Sequence, residues 1–300
     1  MGDRLQALVR PGSTTPWRAA TRFVVRRWLR MATRRQPDYR SPDAAELAAI
    51  EVRLAALGIP CGDLRIASDE FAAFMAAMPF PDGYHGGHDG GVYAEKLLEH
   101  FVAWKLAGIG EASAQPYVDV AAGGSPWAKI LRERGIDAFA VDLAVDPGHA
   151  GLPYYLQRDA TRSGFDDASI GSASLQCAYE MFTGRSDIEL VAELARILRP
   201  GGRAVIAPLY MHTHACHYQT QEFVSRFAGD DGATTYVRRD LWGVPSSRKY
   251  SPETLRDRVW RPALAARLRP SLLALRDRTG LGDGIYLHFV LLLDRPAEAA

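Results

Sequence analysis

The chain has 300 residues, of which 47% are hydrophobic and 24% charged, and its formal net charge is +1. This length and composition predict one large domain or one domain with appendages. The near-zero net charge predicts no general attraction to nucleic acid, and the lack of any run of about 18 apolar residues excludes a membrane-spanning helix. Three widely spaced cysteines, Cys61, Cys177 and Cys216, provide neither a disulfide framework nor a CxxC metal pair. We therefore expect a reducing, cytoplasmic location.

Basic charge is concentrated in residues 1–42, which we interpret as a basic arm followed by a linker. The first 40 residues hold ten arginines and two aspartates, giving +8, whereas the remaining 260 residues carry −7. Arginines recur every four residues from Arg18 to Arg34, while Trp28 and Met31 fall on another helical face. Residues 17–35 therefore predict a helix. It either binds an anionic membrane surface or an acidic partner, or it docks on the protein as a solvated arm.

Residues 43–110 predict helices interrupted by a glycine-rich segment. Asp43 can cap a first helix, and a second is expected from Ser68. Residues 84–93 hold four glycines and two histidines, a composition that disfavours a helix, yet residues 93–107 directly afterwards predict one. We expect the glycine-rich segment to be a mobile or ligand-contacting loop, or else a plain surface loop.

Residues 117–128 (YVDVAAGGSPWA) provide the strongest functional signal. A short apolar run containing Asp119 is followed by four small residues, and Ser125 and Pro126 then suit the first positions of a helix. A strand, a tight turn and a helix N-terminus in this order bring a ligand against bare backbone at the carboxyl end of a parallel strand.

Two acids follow at the ends of later predicted strands. Residues 138–142 (AFAVD) form an apolar run that ends in Asp142, whose carboxylate can accept hydrogen bonds from a ribose diol. Asp159 stands where a third strand would end. The spacing of these acids predicts a nucleotide-type ligand at one edge of a parallel sheet.

The remaining segments complete the predicted sheet. A fourth and a fifth strand are expected over 172–178 and 203–208, separated by a helix over 187–198 that an Arg-Pro-Gly-Gly sequence terminates. Apolar runs over 270–276 and 285–293 predict a closing antiparallel pair of strands.

The series DVAAGGSPWA, AVDLA, RDA, LQCAYE and ARILRPGGRAVI resembles the class I S-adenosylmethionine-dependent methyltransferases in its order and approximate spacing. The resemblance covers roughly residues 92–294 and implies an α/β, Rossmann-like fold. That fold has a seven-stranded sheet, parallel except for an antiparallel C-terminal strand pair, with helices on both faces. The resemblance also implies a methyltransferase domain over residues 111–300 and a helical lid or cap over residues 43–110.

The resemblance further implies a site for S-adenosylmethionine. The implied residues are Asp119, Ala121 and Gly123 for the methionine part, Asp142 for the ribose, Asp159 and Ala160 for the adenine, and Cys177 beside the sulfonium; Leu143 is a further cofactor-binding residue. Ala121 stands where the family usually has glycine. Its methyl group is tolerated if φ is negative, whereas a positive φ would strain the residue.

Methyl transfer is an in-line displacement, and an acceptor that must lose a proton is helped by a general base. We prefer His212 as this base, because it lies just beyond the fifth strand. Glu180, after the fourth strand, is a second candidate, although it can instead cap a helix. His212, His214 and His217 could gather a metal together with Cys216, but they match no fixed metal motif, so no metal is predicted. Surface or structural roles for these histidines stay open.

These patterns predict methyl transfer from S-adenosylmethionine to a hydroxyl or amine of a small-molecule acceptor. A NAD(P)-dependent oxidoreductase is an alternative, although the turn lacks G-x-G-x-x-G and the LRPGG terminator favours methyl transfer. A catalytically silent cofactor-binding scaffold, whose basic arm binds a membrane or a partner, is another. No nucleic-acid partner is expected, because no recognisable binding module follows the arm.

Overall fold

The structure of the protein, a computed structural model, describes residues 16–87, 91–224 and 229–297, with side chains from residue 23 onward. Its strands are β1 Cys61–Leu64, β2 Tyr117–Val120, β3 Ala138–Asp142, β4 Tyr155–Gln157, β5 Ile170–Gln176, β6 Leu198–Leu209, β7 Cys216–Thr220, β8 Thr234–Arg238, β9 Ser247–Lys249, β10 Arg269–Leu275 and β11 Phe289–Asp294. Its α-helices are α1 Pro16–Ala32, α2 Ala44–Ala56, α3 Ser68–Ala77, α4 Tyr93–Ala107, α5 Trp127–Glu133, α6 Ser186–Ile197, α7 Pro252–Leu255 and α8 Arg261–Ala265.

Eight strands form one sheet in the order β1-β10-β11-β6-β5-β2-β3-β4. Strands β2 to β6 run parallel, and β11 pairs antiparallel with both β6 and β10. The predicted α/β class, with its parallel sheet and antiparallel C-terminal pair, is confirmed. The expected count of seven strands is one too low, because β1 joins the edge of the sheet parallel to β10.

Helices cover both faces of this sheet, as predicted. On one face α2, α6 and α8 pack through apolar side chains such as Leu54 and Leu194. On the other face α3, α4 and α5 pack through side chains such as Phe74, Phe101 and Trp127. The apolar stripe of α6 explains its position, because Leu190, Val191, Leu194 and Ile197 are all buried.

Residues 43–110 are not helical throughout. Between α2 and α3 the chain forms β1, and α4 is buried along most of its length against the sheet. Three ionisable residues of α4, Glu95, Lys96 and Glu99, are among its buried residues. This segment therefore contributes to the core as well as to the cover over the sheet edge, and its role as a lid stays a prediction.

A second, three-stranded sheet of order β8-β7-β9 lies between β6 and α7 along the chain. The segment after α1 docks on it, because Asp38 bridges to Val237 and the Arg239 guanidinium donates to the Asp38 carboxylate. Leu29 of α1 is buried as well. In the part of the chain that the structure describes, no helix combines the length and the hydropathy needed to cross a membrane.

Candidate functional site

Two cavities open at the carboxyl ends of β2 to β5 and share Ala121 and Cys177. The β3 chamber, of about 400 Å³, is lined by Ala121, Asp142, Leu143, Asp159, Ala160, Cys177, Ala178, Met181, Phe182, Thr183 and Ser186. The α4 chamber, of about 580 Å³, is lined by Gly83, Tyr84, His85, Lys96, Glu99, His100, Asp119, Ala121, Ala122, Gly123, Gly124, Ser125, Gln176 and Cys177. The structure thus brings together around these chambers all eight residues that the sequence assigned to a cofactor, together with part of the glycine-rich segment.

The turn after β2 shapes the boundary between the chambers. Gly123 has φ +55°, and a Cβ added there would meet no described atom within 4 Å, so its backbone borders open space. Ala121 has φ +56°. This is the strained alternative that the sequence left open, and such a conformation typically costs on the order of 1 kcal/mol in a residue with a Cβ.

Asp142, the last residue of β3, is hydrogen-bonded to this turn. Its Oδ2 accepts a hydrogen bond from the Gly123 N–H at 2.8 Å, and its Oδ1 accepts one from the Ala144 N–H at 2.9 Å. A carboxylate has about four lone-pair positions, so each oxygen can accept a second hydrogen bond from a ligand in the β3 chamber.

Residues directly after β4 in the chain form another wall of the β3 chamber. Asp159 caps a short 3₁₀ turn, its Oδ1 accepting from the Thr161 N–H at 2.9 Å and from the Thr161 hydroxyl at 2.8 Å. Met181 and Phe182 add apolar surface to the same chamber, and the sequence analysis did not select them. Their position directly after Glu180 was the available signal.

The α4 chamber carries buried charge. Lys96 Nζ lies 2.8 Å from Glu99 Oε1, and both side chains are buried. Burial raises the pKa of Glu99, and the Lys96 ammonium opposes that rise. Burial also raises the pKa of Asp119 to about 7, with the Ser125 hydroxyl opposing the rise and the Asp142 charge adding to it. Sequence reasoning missed Lys96 and Glu99, because on a helix they have the appearance of ordinary surface residues.

Three buried polar atoms beside the α4 chamber have no hydrogen-bond partner among the described residues. They are Asp119 Oδ2, Glu99 Oε2 and His100 Nδ1. Buried polar atoms are nearly always hydrogen-bonded in folded proteins, so such a group indicates a place for a polar ligand. Since two of the three are carboxylate oxygens, the complementary ligand group is a hydrogen-bond donor with positive charge.

Cys177 lies where the chambers meet. It has φ +50°, and its Sγ lies 3.3 Å from the Tyr210 hydroxyl, 3.4 Å from Glu180 Oε1 and 3.9 Å from the Tyr286 hydroxyl. Burial raises the pKa of its thiol to about 12, so the thiol stays protonated and is a poor nucleophile. Glu180 is buried, and its Oε2 has no partner among the described residues. We call Cys177, Glu180, Tyr210 and Tyr286 the junction.

His212 does not reach the junction, which argues against our choice of it as the base. Unlike Glu180 and Tyr210, it has no described contact with Cys177, and its ring lies 4.4 Å from that of His214 and 6.3 Å from that of Tyr39, measured between centroids. The chain turns away after β6, so Tyr210, two residues earlier, contacts Cys177 instead. Burial also lowers the pKa of His212.

The three histidines, whose convergence on a metal the sequence left open, do not lie together as one group. His217 Nε2 lies 3.0 Å from the Thr235 hydroxyl, whereas the donor atoms of His212, His214 and Cys216 all lie within 4.8 Å of one another. Cys216 and His217 are neighbours in β7, and successive side chains of a strand point to opposite faces. The strand geometry therefore places Cys216, and not His217, with the other two histidines.

One part of the chain matches a known protein family. Residues 118–206 match the model of the family described as methyltransferase domain. No curated protein matches the chain in sequence. The matched residues run from β2 to β6 and include the turn, Asp142, Asp159 and the junction residues Cys177 and Glu180.

Several solved structures resemble the chain distantly. A 1,6-didemethyltoxoflavin-N1-methyltransferase from Burkholderia thailandensis is 16% identical, with 88% of this chain and 94% of that one covered and a TM-score of 0.45. A SAM-dependent methyltransferase from Archaeoglobus fulgidus is 11% identical, with coverages of 71% and 96% and a TM-score of 0.42. The geranyl diphosphate C-methyltransferase from Streptomyces coelicolor A3(2) is 16% identical, with coverages of 73% and 87% and a TM-score of 0.39. Values this low carry no information on the acceptor.

Proposed function

Since the chain carries a class I S-adenosylmethionine-dependent methyltransferase domain, we propose that it transfers a methyl group from this cofactor to a hydroxyl or amine of a small-molecule acceptor. The junction supports the proposal, because a buried carboxylate and two tyrosine hydroxyls surround Cys177 where the two chambers meet. The match to a methyltransferase family also makes the nicotinamide alternative the weaker one. A cytoplasmic location stays a prediction.

The α4 chamber fits the amino-acid part of the cofactor. The ammonium group of the cofactor would donate hydrogen bonds to Asp119 Oδ2 and Glu99 Oε2, which otherwise lie buried without a described partner. The Lys96 ammonium supplies positive charge for the cofactor carboxylate. The open backbone at Gly123 allows the ligand to approach the turn closely.

The β3 chamber fits the nucleoside part. Asp142, already oriented by two backbone N–H groups, keeps lone pairs free for the two ribose hydroxyls. Ala160, Met181 and Phe182 provide apolar surface for the adenine, and Asp159 offers an acceptor at its edge. With the two parts placed in this way, the reacting centre lies between the chambers, beside Cys177.

The cofactor supplies an activated methyl group on a cationic sulfonium. The protein then has to orient the acceptor, exclude water and remove a proton. We assign proton removal to Glu180, because its Oε2 is buried within the junction and unpartnered among the described residues. The Tyr210 and Tyr286 hydroxyls, both within 3.9 Å of Cys177 Sγ, would orient the acceptor.

Calorimetry with S-adenosylhomocysteine and with NAD tests the proposal. We expect wild-type protein to bind only the first. Asp142→Ala removes the carboxylate that accepts from the Gly123 and Ala144 N–H groups and would accept from the ribose. It should weaken binding by about 10- to 100-fold, as expected for losing hydrogen bonds to a charged group. Asp166→Ala, at an exposed aspartate outside both chambers, is the matched control and should bind normally. Binding of NAD in place of S-adenosylhomocysteine would overturn the assignment.

We also propose that α1 binds an anionic membrane surface. Four of its apolar side chains point into solvent, with exposed fractions of 67% for Phe23, 63% for Val24, 57% for Trp28 and 56% for Met31. The arginines at positions 27, 30, 34 and 35 are exposed beside them. Exposed apolar residues flanked by arginines fit the boundary between acyl chains and anionic headgroups, and they favour this role over a solvated arm.

A further inference from the structure

Three metal-binding side chains converge beside the second sheet, outside the chambers. The donor atoms of His212, His214 and Cys216 lie within 4.8 Å of one another. The chain bends at Thr213 and His214, between Met211, which bridges to Tyr250, and Cys216, where β7 begins. This bent segment brings the three donor atoms of the spacing H-x-H-x-C together.

The surroundings hold these side chains in place. The Thr213 hydroxyl lies 3.2 Å from Nδ1 of His212 and 3.3 Å from Nδ1 of His214. The Tyr236 hydroxyl lies 2.9 Å from His214 Nε2, so an ion bound to this nitrogen replaces the contact and lies beside the hydroxyl. His212 and Cys216 are buried, whereas Thr213 is exposed. The side of the cluster near Thr213 is therefore open for an ion to enter, and the side formed by His212 and Cys216 would shield the ion from solvent.

We propose that His212, His214 and Cys216 bind a zinc ion, which makes this cluster a metal site separate from the proposed methyl-transfer site. Two imidazoles and a thiolate are a donor set that zinc prefers, at distances of about 2.0 to 2.3 Å. Because the donor atoms lie within 4.8 Å of one another, small side-chain rotations bring each of them to that distance from a common ion. The Tyr236 hydroxyl or a water molecule completes the four-coordinate shell.

Charge balance at the site requires one proton to leave. Burial raises the pKa of the Cys216 thiol to about 12, and the Lys249 ammonium, on the strand residue paired with Cys216, opposes that rise. Zinc binding replaces the S–H bond by a Zn–S bond and releases the proton to solvent, with no electron transferred.

The position of the site indicates a structural role. Tyr39 and Lys249 lie between it and Tyr210 of the junction: the Lys249 Nζ is 3.5 Å from the Tyr210 ring centroid and 5.9 Å from that of Tyr39. The ion would join the segment that follows β6 to the first residue of β7. Metal binding itself, and not methyl transfer, is therefore the measurement that tests the proposal.

Cobalt(II) is a suitable probe, because a thiolate ligand gives a near-ultraviolet charge-transfer band and tetrahedral geometry gives strong visible bands. We expect full-length protein without an affinity tag, stripped by chelator, to take up cobalt with both signatures, and zinc to displace it. Cys216→Ser should lose the charge-transfer band. Cys61→Ser, at a partly exposed cysteine of β1, is the control and should retain it. Circular dichroism verifies the fold of each variant.

Thr213→Val keeps the test decisive if Cys216→Ser fails to fold. Thr213 is exposed and contacts the metal ligands without being one, and loss of such a contact weakens metal binding by about 10- to 100-fold. His217→Ala, on the opposite face of β7, should leave the affinity unchanged. The proposal is overturned if wild-type protein shows no thiolate band, if the band persists in Cys216→Ser, or if Thr213→Val binds cobalt as tightly as wild type.

Discussion

Burial changes the acid–base chemistry of Asp119, a residue of β2 that faces the α4 chamber. The ionised carboxylate binds the ligand ammonium much more strongly than the neutral acid does, because it carries the opposite charge. Burial raises the pKa of Asp119 to about 7 in the free protein. Protonation therefore competes with the ligand as the pH falls below this value. We expect the affinity for S-adenosylhomocysteine to fall by up to about tenfold per pH unit below neutrality, and to level off above it.

Calorimetry across neutral pH measures this dependence. Asp119→Asn should bind weakly and lose most of the pH dependence, since its amide does not titrate. If the variant keeps the wild-type pH profile, another group is responsible, and the assignment of Asp119 to the ligand ammonium is incorrect.

Glu180 is the junction residue to which we assign proton removal. Glu180→Gln keeps the shape of the side chain but removes its basicity, so kcat should fall by about 100-fold or more. The affinity for S-adenosylhomocysteine should stay close to wild type, because Glu180 contacts Cys177 and not the carboxylates of the α4 chamber. Methyl-transfer kinetics and calorimetry on the same preparations separate the two effects.

The matched control is Glu189→Gln, on the exposed side of α6. It should leave kcat unchanged. An unchanged kcat in Glu180→Gln as well would show that the acceptor needs no base at this position.

At the scale of elements, one side of helix α1 packs against the rest of the protein while the other side is exposed to solvent. Leu29 is buried and Arg26 lies over the Trp242 ring, at 4.6 Å from its centroid, so the helix is attached to the rest of the protein. Deleting the whole arm would disturb that packing. Point changes on the outer face are therefore the sharper test of membrane binding.

We expect Val24→Ser and Trp28→Ser together to reduce flotation with anionic vesicles by at least about tenfold, because each side chain loses burial worth roughly 1.5 to 3 kcal/mol. Val52→Ser on α2, at a valine that is also strongly exposed, is the control and should float like wild type. Binding should weaken at high salt, as expected for arginines near anionic lipids. Equal flotation of all three proteins would rule out this role for α1.

Local sequence signals account for most of the parallel strands and for the first turn. Residues 117–128 combine an apolar run, small residues and Ser-Pro, and the structure has β2, the turn and α5 there. By contrast, β1 has the sequence Cys-Gly-Asp-Leu, in which only Leu64 is buried. Such a strand exists because β10 offers an unpaired edge, which is a property of the sheet and not of residues 61–64.

At the scale of the whole molecule, one buried carboxylate joins three parts of the fold. Asp187 at the start of α6 is fully buried and forms ion pairs with Arg248 of β9 at 3.0 Å and with Arg258 at 2.6 Å. The Tyr250 hydroxyl donates to the same carboxylate at 2.8 Å. The second sheet is thereby fixed to a helix of the main domain.

Asp187→Asn should lower the free energy of unfolding by about 3 kcal/mol, because it leaves Arg258 without a carboxylate partner and leaves the buried Arg248 with Asp230 alone. Asp167→Asn breaks an exposed ion pair with Arg196 and should cost at most about 1 kcal/mol. Urea unfolding of both variants measures the difference. Similar stabilities would mean that water or other groups compensate for the loss of Asp187.

The sequence by itself determined the α/β class, the edge of the sheet that holds the chambers and the acids Asp119, Asp142 and Asp159, because these signals lie within short segments. Only the tertiary structure decided which side chains meet across distant segments. It joined Lys96 and Glu99 of α4 to the site, placed Tyr210 at the junction in place of His212, and grouped Cys216 with two histidines. Spacing along a chain fixes the face on which a side chain lies, whereas its partners depend on packing between elements.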